Sequence, residues 1–292
     1  MTSRSLDSSP SILKLYARAA APLIPGASRL PFVPGGGGEI PELELTLAGV
    51  RAEQDAVAAY DRVCGFALRD HLPPTYPHVL AFPLQMAVMA DGSFPFGAVG
   101  LIHLENRIAQ RRPIGIGEEL SLAVRPTAPQ PHPKGRTFSL LTEARVGEDL
   151  VWESTSTMLR REGGSGEAKS YGDRTPEAAA DFPPSAEWDL EGDLGRRYAA
   201  VSGDRNPIHM HSLTAKPLGF PAAIAHGMWT KARCLAALES RLPDSFAAEV
   251  SFRRPILLPG TVEFGIRAEG EAIEFFVRDA KKKTPHLEGS VK

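Results

Sequence analysis

Asp204, Asn206 and His209 lie within six residues, in a stretch that also contains glycine and proline. No regular element need separate side chains in such a loop, so a carboxylate and an imidazole can approach the same point. A carboxylate and an imidazole directed at one water molecule can carry out general acid–base catalysis. The spacing therefore predicts proton transfer to and from a bound water.

His226, Gly227 and Met228 follow at the start of an apolar segment that is predicted to be a helix over residues 227–241. Free backbone N–H groups at the start of a helix can stabilise a developing oxyanion. Because Gly227 has no side chain, a ligand can approach its backbone closely. A backbone oxyanion site is therefore predicted at this helix start.

Each of these residues also has a purely structural interpretation. An aspartate before a turn commonly forms an Asx-turn or a helix cap. The pair Asn206-Pro207 is often turn chemistry alone, and a single histidine is usually a satisfied polar residue. The complete pattern, rather than any one residue, carries the catalytic interpretation.

The run YAAVSGDRNPIH at residues 198–209, followed by AHGM at 225–228, resembles the hydratase-2 motif of MaoC-like (R)-specific enoyl-CoA hydratases and 3-hydroxyacyl-thioester dehydratases. The resemblance implies a hydro-lyase of fatty-acid metabolism that interconverts trans-2-enoyl and (R)-3-hydroxyacyl thioesters. Asp204 would orient and deprotonate the water, and His209 would hold the same water and share in proton transfer. Asn206 would position this pair or contact the substrate.

The resemblance also implies residues that contact the thioester. The backbone N–H of Gly227 would donate to the thioester carbonyl. Ser202, His226 and Met228 are the predicted substrate-binding residues. His226 has two interpretations, contact with the diphosphate of the carrier or support of the loop. No cofactor is predicted beyond coenzyme A or acyl-carrier protein, which would form part of the substrate.

Three other classes of function fit parts of the pattern. A hot-dog acyl-CoA thioesterase would aim water at C1 rather than C3, and the motif spacing argues against it. Asp204, His209 and His211 could form a two-histidine, one-carboxylate metal set, but Pro207 and the hydratase spacing disfavour this, so no metal is predicted. A non-catalytic acyl-thioester-binding protein would not need an intact Asp204 and His209.

The elements that must position these residues occur twice in the chain. The pattern Tyr60-x-x-Val-Cys-Gly65 matches Tyr198-x-x-Val-Ser-Gly203, and RRPI at 111–114 matches RRPI at 253–256 with an offset of 142. Such ordered identities indicate a duplicated unit. Where the second unit has Asp204, the first has Phe66, and His71 is taken as the counterpart of His209. The first unit is therefore predicted to be degenerate and to line the acyl or pantetheine channel.

Each unit is predicted to contain a helix, a loop, a long apolar helix and several antiparallel strands. A helix that is apolar on most sides must be wrapped, and a curved antiparallel sheet does this. The family resemblance implies an α+β tandem (double) hot-dog fold, in which two fused units reproduce a dimer within one chain; a homodimer of such chains is compatible with this. The predicted domains are an N-terminal extension (1–47), a non-catalytic hot-dog (48–160), a linker (161–186) and a catalytic hot-dog (187–292).

The predicted elements follow from periodicity and turn residues. The predicted helices are 11–20, 52–63, 79–90 (with Pro83 in its first turn), 190–201 and 227–241. The predicted strands are 43–50, 97–107, 119–125, 136–145, 150–160, 247–253, 261–268, 272–278 and 285–291.

The composition limits the classes of partner that can be expected. The chain has 292 residues, 42% hydrophobic and 23% charged, with a net charge of −2, which gives no electrostatic reason to expect nucleic acid or a membrane surface. No apolar run approaches the roughly 20 residues of a membrane span, and two cysteines favour a reducing compartment. Residues 1–38 faintly resemble a transit peptide, but a short packed helix is the preferred interpretation, and a cytoplasmic location is predicted.

Overall fold

The computed structural model describes residues 2–20, 39–95, 100–161, 182–270 and 272–292. Most of the predicted linker, the glycine- and proline-rich loop at 31–38 and the first residues of the strand predicted at 97–107 lie outside the described residues. Within the described ranges, no helix is both long enough and apolar enough to cross a membrane.

Seven α-helices and twelve strands occur in the described residues. The helices are α1 Ile12–Ala20, α2 Gln54–Cys64, α3 Tyr76–Met89, α4 Leu194–Ser202, α5 Pro207–Met210, α6 Ser212–Ala215 and α7 Gly227–Leu238. The strands are β1 Thr2–Leu6, β2 Leu43–Val50, β3 Leu101–Gln110, β4 Leu120–Pro126, β5 Gln130–His132, β6 Gly135–Val146, β7 Asp149–Arg161, β8 Ala186–Leu190, β9 Phe246–Phe252, β10 Gly260–Glu269, β11 Ala272–Asp279 and β12 Pro285–Val291.

The strands form one continuous sheet in the order β1-β2-β4-β6-β7-β3-β9-β12-β11-β10-β8, with β5 paired to β6. With β1 set aside, the sheet consists of two sets of five strands, β2-β4-β6-β7-β3 and β8-β10-β11-β12-β9, each read from the edge to the centre. In both sets the strand that comes second in the chain lies at the centre, so the two sets have the same topology. The two sets meet where β3 pairs antiparallel with β9. This repeated order agrees with a duplicated unit, and the two sets are called the first half and the second half below. The predicted boundary at 47/48 falls within β2, and the domain boundaries stay a prediction.

The two long helices lie against the sheet as the apolar patterns predict. α3 packs on β2, β4 and β6. Pro83 lies inside α3, and Pro77 occupies the first turn instead, so the predicted position of Pro83 is wrong. Proline in a helix interior removes one hydrogen bond at a substantial cost. Burial of Ala81, Leu84 and Val88 around it holds the helix together.

An exposed ion pair and a buried lysine mark the junction between the halves. Arg107 on β3 and Glu249 on β9 are directly paired, and their side chains form an ion pair of 3.1 Å. Lys231 of α7 is fully buried, and its Nζ donates to the carbonyl oxygens of Asn106 and Ala248 and to Oδ1 of Asn106. Three acceptors match the three N–H bonds of an ammonium group. Lys231 is thus a buried polar exception in α7, which is apolar on most sides as predicted.

Two strands at the sheet edges are absent from the predicted elements. β1 pairs parallel with β2 at one edge, and β8 pairs with β10 at the other. Both are five residues long, and β1 is almost entirely exposed. β1 contains a single apolar residue, Leu6, so it gives no alternation signal. β8 does alternate, as AEWDL, but its five residues begin at the end of the predicted linker and are not predicted as a strand.

Candidate active site

The loop after α4 is shaped by hydrogen bonds among its own residues. α4 ends at Ser202, and Gly203 adopts the left-handed conformation (φ 76°) that reverses the chain. The Asp204 N–H donates to Ser202 Oγ (3.2 Å), and Asp204 Oδ1 accepts from the Asn206 N–H (3.1 Å). These contacts fix the carboxylate relative to the end of α4. Ser202 is buried and acts here as a loop-shaping residue.

Asn206 and Pro207 begin the short helix that carries His209. The Asn206 side chain accepts from the Ile208 N–H at the start of α5, and Pro207 occupies its first position. Gly195 on α4 allows this helix to pack closely, because a Cβ at Gly195 would overlap the carbonyl oxygen of His209. Asn206 therefore caps the helix that carries His209, and Gly195 makes the close approach possible, although no sequence pattern marks it.

The hydrogen bond of His209 fixes its tautomer. His209 Nδ1 lies 2.8 Å from the carbonyl oxygen of Ile224, which can only accept, so Nδ1 carries the proton. The unprotonated Nε2 is then the nitrogen that can accept a proton. The ring is buried.

His226 supports both of the other residues. Its ring is only 2% exposed and stacks on His209 with centroids 3.6 Å apart. Its Nε2 donates to the backbone carbonyl of Asp204 (3.0 Å), and its Nδ1 is buried without a hydrogen-bond partner among the described residues. This geometry supports the loop-supporting interpretation. Substrate contact by His226 stays a prediction, as it does for Met228, which is also buried.

A tyrosine from the N-terminal helix completes the site. Tyr16 of α1 donates its hydroxyl proton to Asp204 Oδ1 (2.9 Å) and accepts from the Arg205 N–H (2.8 Å). Tyr16 is separated from Asp204 by 188 residues. No spacing rule connects residues so far apart, so sequence reasoning could not identify this contact.

The pKa values of the three side chains favour an ionised Asp204 and neutral histidines. Burial alone would raise the pKa of Asp204, but the neighbouring His226 and His209 rings and the hydrogen bonds from Asn206 and Tyr16 lower it below its ordinary value. Burial lowers the pKa of His209 and lowers that of His226 to about 3. At neutral pH the site therefore holds one carboxylate beside two neutral imidazoles.

The start of α7 offers backbone donors next to this group. His226 is the N-cap, and no side chain caps the first N–H groups of α7. A Cβ at Gly227 would lie 2.9 Å from Cε1 of Phe252, so only glycine fits between the helix and β9 without displacing that ring. The uncapped helix start is suited to a developing negative charge.

The first half contributes the opposite side. Phe82 of α3 lies against Gly203, and its ring is 6.5 Å from that of His78. His103 of β3 packs against Phe252, with ring centroids 4.9 Å apart. Burial lowers the pKa of His78 to about 4 and that of His103 to about 3. These neutral rings and the phenylalanines give the site an apolar border.

The alternative metal set of Asp204, His209 and His211 is not brought together in the structure. His211 is exposed, and its Nδ1 accepts from the Leu213 N–H at the start of α6. Instead, Asp204, His209 and His226 come together, with one ligand-type atom from each within 4.8 Å of the others. Two ring nitrogens of this group donate to backbone carbonyls, Nδ1 of His209 and Nε2 of His226.

Among the described residues, the loop after α2 in the first half has no counterpart of Asp204. Phe66 occupies the position after Gly65, is buried, and stacks with Tyr60 at 6.4 Å. His71 bridges to Gly115 as Ile224 bridges to Leu257. Since Gly115 and Leu257 are related by the repeat offset of 142 residues, the counterpart of His71 is Ile224, and its predicted equivalence to His209 is wrong.

The chain is similar to known dehydratases. Residues 175–289 match the MaoC like domain family. The 3-hydroxyacyl-thioester dehydratase X of Mycobacterium tuberculosis is 38% identical over 286 residues, which cover 97% of this chain and 98% of the relative. The crystal structure of HtdX from M. tuberculosis has a TM-score of 0.76 at 35% identity and covers 85% of this chain and 98% of that one.

A more distant structure supports the architecture alone. A protein from M. tuberculosis described as having a double hotdog fold shares 14% identity with a TM-score of 0.53, and the match covers 87% of this chain and 94% of that one. Fold and site together define a double hot-dog hydro-lyase, which confirms the predicted fold class. The chain belongs to the MaoC-like dehydratase family.

Proposed function

We propose that the protein catalyses reversible hydration of trans-2-enoyl thioesters to (R)-3-hydroxyacyl thioesters. The observation that carries this proposal is the junction of three features: an ionised Asp204, the unprotonated Nε2 of His209, and the uncapped start of α7. Addition of water to an enoyl thioester needs a base for the water and a donor for the thioester oxygen. The site offers both.

In this proposal, Asp204 and His209 bind one water between them. Asp204 takes a proton from the water as its oxygen bonds to C3, and the electrons of the C2–C3 double bond move towards the thioester oxygen. The same proton is then returned to C2, with His209 sharing in the transfer. Dehydration follows the same steps in reverse, with the C3 hydroxyl leaving as water.

The Gly227 N–H would stabilise the enolate that forms between these steps. Negative charge develops on the thioester oxygen only in the transition state and intermediate, so a donor fixed there lowers the barrier selectively. Removal of one oxyanion donor typically costs on the order of 3 kcal/mol in activation free energy. The helix start adds its own positive potential.

The carrier and the cellular setting belong to the same proposal. The name of the 38%-identical relative specifies a 3-hydroxyacyl thioester without a carrier, and both coenzyme A and acyl-carrier protein fit the chemistry. A cytoplasmic location, a catalytic second half and a non-catalytic first half are likewise proposed. At the position that matches Asp204, the first half has Phe66 rather than an aspartate, which supports one active site per chain.

The test is hydration of trans-2-enoyl-CoA substrates of increasing chain length, followed by loss of enone absorbance. Wild type should hydrate at least one member, and Asp204→Asn and His209→Ala should each lower kcat by about 10²–10⁴-fold while circular dichroism stays unchanged. Release of free coenzyme A by wild type would instead indicate a thioesterase. Full activity in both variants would refute the acid–base assignment.

A metal-dependent reaction is the second candidate, because ligand-type atoms of Asp204, His209 and His226 converge. A divalent cation would need Asp204 and a ring nitrogen of each histidine. The hydrogen bonds of His209 and His226 to backbone carbonyls hold one nitrogen of each ring away from that role. Metal analysis of the purified protein, with activity measured after chelation, separates the two: loss of activity that returns with a stoichiometric metal would favour this candidate.

A further inference from the structure

The N-terminal helix is seated on the active-site loop. Ile12, Leu15 and Tyr16 recur at helical spacing on the side of α1 that packs against the core, whereas Leu13 points outwards and is 73% exposed. Ile12 and Phe82 of α3 both approach Gly203. α1 has only nine residues, and helices of this length are marginal in water without packing. Its position is therefore defined by the contacts it makes here.

The two carboxylate oxygens of Asp204 have different hydrogen-bond partners. Oδ1 accepts from both Tyr16 and the Asn206 N–H. Within the described part of the chain, no group donates a hydrogen bond to Oδ2, and the nearest cation-forming atom is Nε2 of His226 at 3.8 Å. A carboxylate with two donors on one oxygen is held in one rotamer, and its other oxygen keeps its capacity to accept a proton.

We propose that Tyr16 is a positioning residue of the active site, which anchors Asp204 through Oδ1 so that Oδ2 faces the reacting water. The N-terminal helix would then belong to the catalytic unit of the second half. This inference rests on the proposed function for its effect on rate, but the hydrogen bond itself can be tested separately.

The ionisation of both partners supports the arrangement. Burial and the neighbouring Asp204 raise the pKa of Tyr16 far above its ordinary value, so Tyr16 remains a donor across the working pH range. Its hydrogen bond is one of the contacts that lower the pKa of Asp204. The ionisable groups facing Asp204 come from every neighbouring element: Tyr16, Tyr198, Arg205, His209, His226, His78 and His103.

The experiment compares Tyr16→Phe with wild type and with Leu13→Ala, a substitution on the exposed side of the same helix. A hydrogen bond to a charged group is worth enough that its loss should lower kcat roughly tenfold, with KM changed less than about twofold. The acid limb of kcat/KM should move up by about one pH unit, because the ionised form of Asp204 loses a donor. Leu13→Ala should match wild type in all three.

A readout independent of catalysis separates this proposal from the proposed function. Carbon-13 NMR of the Asp204 carboxyl, assigned with Asp204→Asn, reports its pKa directly. A raised pKa in Tyr16→Phe is expected even if wild type hydrates no enoyl thioester, in which case the proposed function fails and the anchoring of Asp204 stands. An unchanged carboxyl pKa, an unchanged kcat in an active enzyme, or a higher kcat would each overturn the positioning role.

Discussion

The two loops that follow α2 and α4 begin alike and diverge after one residue. Each helix ends at a glycine in the left-handed conformation, Gly65 with φ 83° and Gly203 with φ 76°. The next residue is buried Phe66 in the first half and Asp204 in the second. Both halves share the glycine that ends the helix, which the fold requires. The residues after that glycine differ, and they determine the chemistry of each loop.

The surroundings of the loops differ as much as their residues. The first loop is tied to the residue that follows α7, since Ala67 and Arg69 both donate to Glu239. The preceding helix α2 also contacts α7, because Trp229 donates to the carbonyl of Val63. The second loop contains α5 and α6 and is overlaid by α1. The two loops therefore differ in their partners: the first contacts Glu239 through its backbone and Arg69, whereas the second holds Asp204 beside His209 and Tyr16.

The largest effect is expected from a side chain at Gly195 of the second half, where the first half has a valine. The repeat aligns Gly195 with Val57, which is buried. Gly195→Ala should displace α5 and His209, because the new Cβ would overlap the His209 carbonyl. A displacement of about 1 Å can cost on the order of 100-fold in rate, and overpacking costs about 1–3 kcal/mol in stability.

Steady-state kinetics and thermal unfolding measure both effects of Gly195→Ala. The matched control is Val57→Ala in the first half, which should lower stability without a comparable loss of kcat per folded molecule. Equal kcat for Gly195→Ala and wild type would show that α5 does not need this close approach.

A smaller effect concerns pH. Burial keeps the pKa of His209 below its ordinary value, and that of Asp204 is lowered by its neighbours. The proposed reaction needs ionised Asp204 and neutral His209, so activity should be lost only as pH falls through these lowered values. kcat/KM should therefore stay level from about pH 8 to about pH 6, without an inflection near the ordinary histidine value of about 6.5. A limb centred there would contradict the neutral imidazole.

The smallest effect is expected in the first half. His71 is paired with the exposed Asp70 and bridges to Gly115, away from the residues that meet at Asp204. His71→Ala should leave kcat and KM within about twofold of wild type. The same hydration assay measures this, and a loss comparable to that of His209→Ala would restore His71 as a functional counterpart.

Periodicity reveals most of the frame because the long elements are strongly patterned. β2 and β12 begin and end at the predicted residues, and α7 begins at Gly227 as predicted. Pro83 is placed wrongly because tertiary packing overrides its local preference. Lys231 is missed as a buried group because its three acceptors belong to two strands, β3 and β9, from different halves.

The candidate site divides in the same way. The motif brings Asp204, Asn206 and His209 into view, because they are neighbours in sequence. Tyr16 and Gly195 carry no local signal: one acts across 188 residues, and the other matters only because a carbonyl approaches it. Sequence reveals chemistry that is contiguous, and the structure is needed for residues that act through packing or from a distant segment.

The pairing of β3 with β9 at the centre of the sheet has an evolutionary consequence. The offset of 142 residues that relates the repeats maps Arg107 onto Glu249 and Asn106 onto Ala248, so the internal two-fold axis passes between paired residues of opposite charge. In an assembly of two identical copies, a residue on the axis faces itself, and like charges would repel. A fused gene can mutate each copy independently, so it can place arginine opposite glutamate and a single Lys231 between equivalent carbonyls. Such complementarity disfavours pairing of either half with its own copy, because Arg107 or Glu249 would then face its own kind across the two strands.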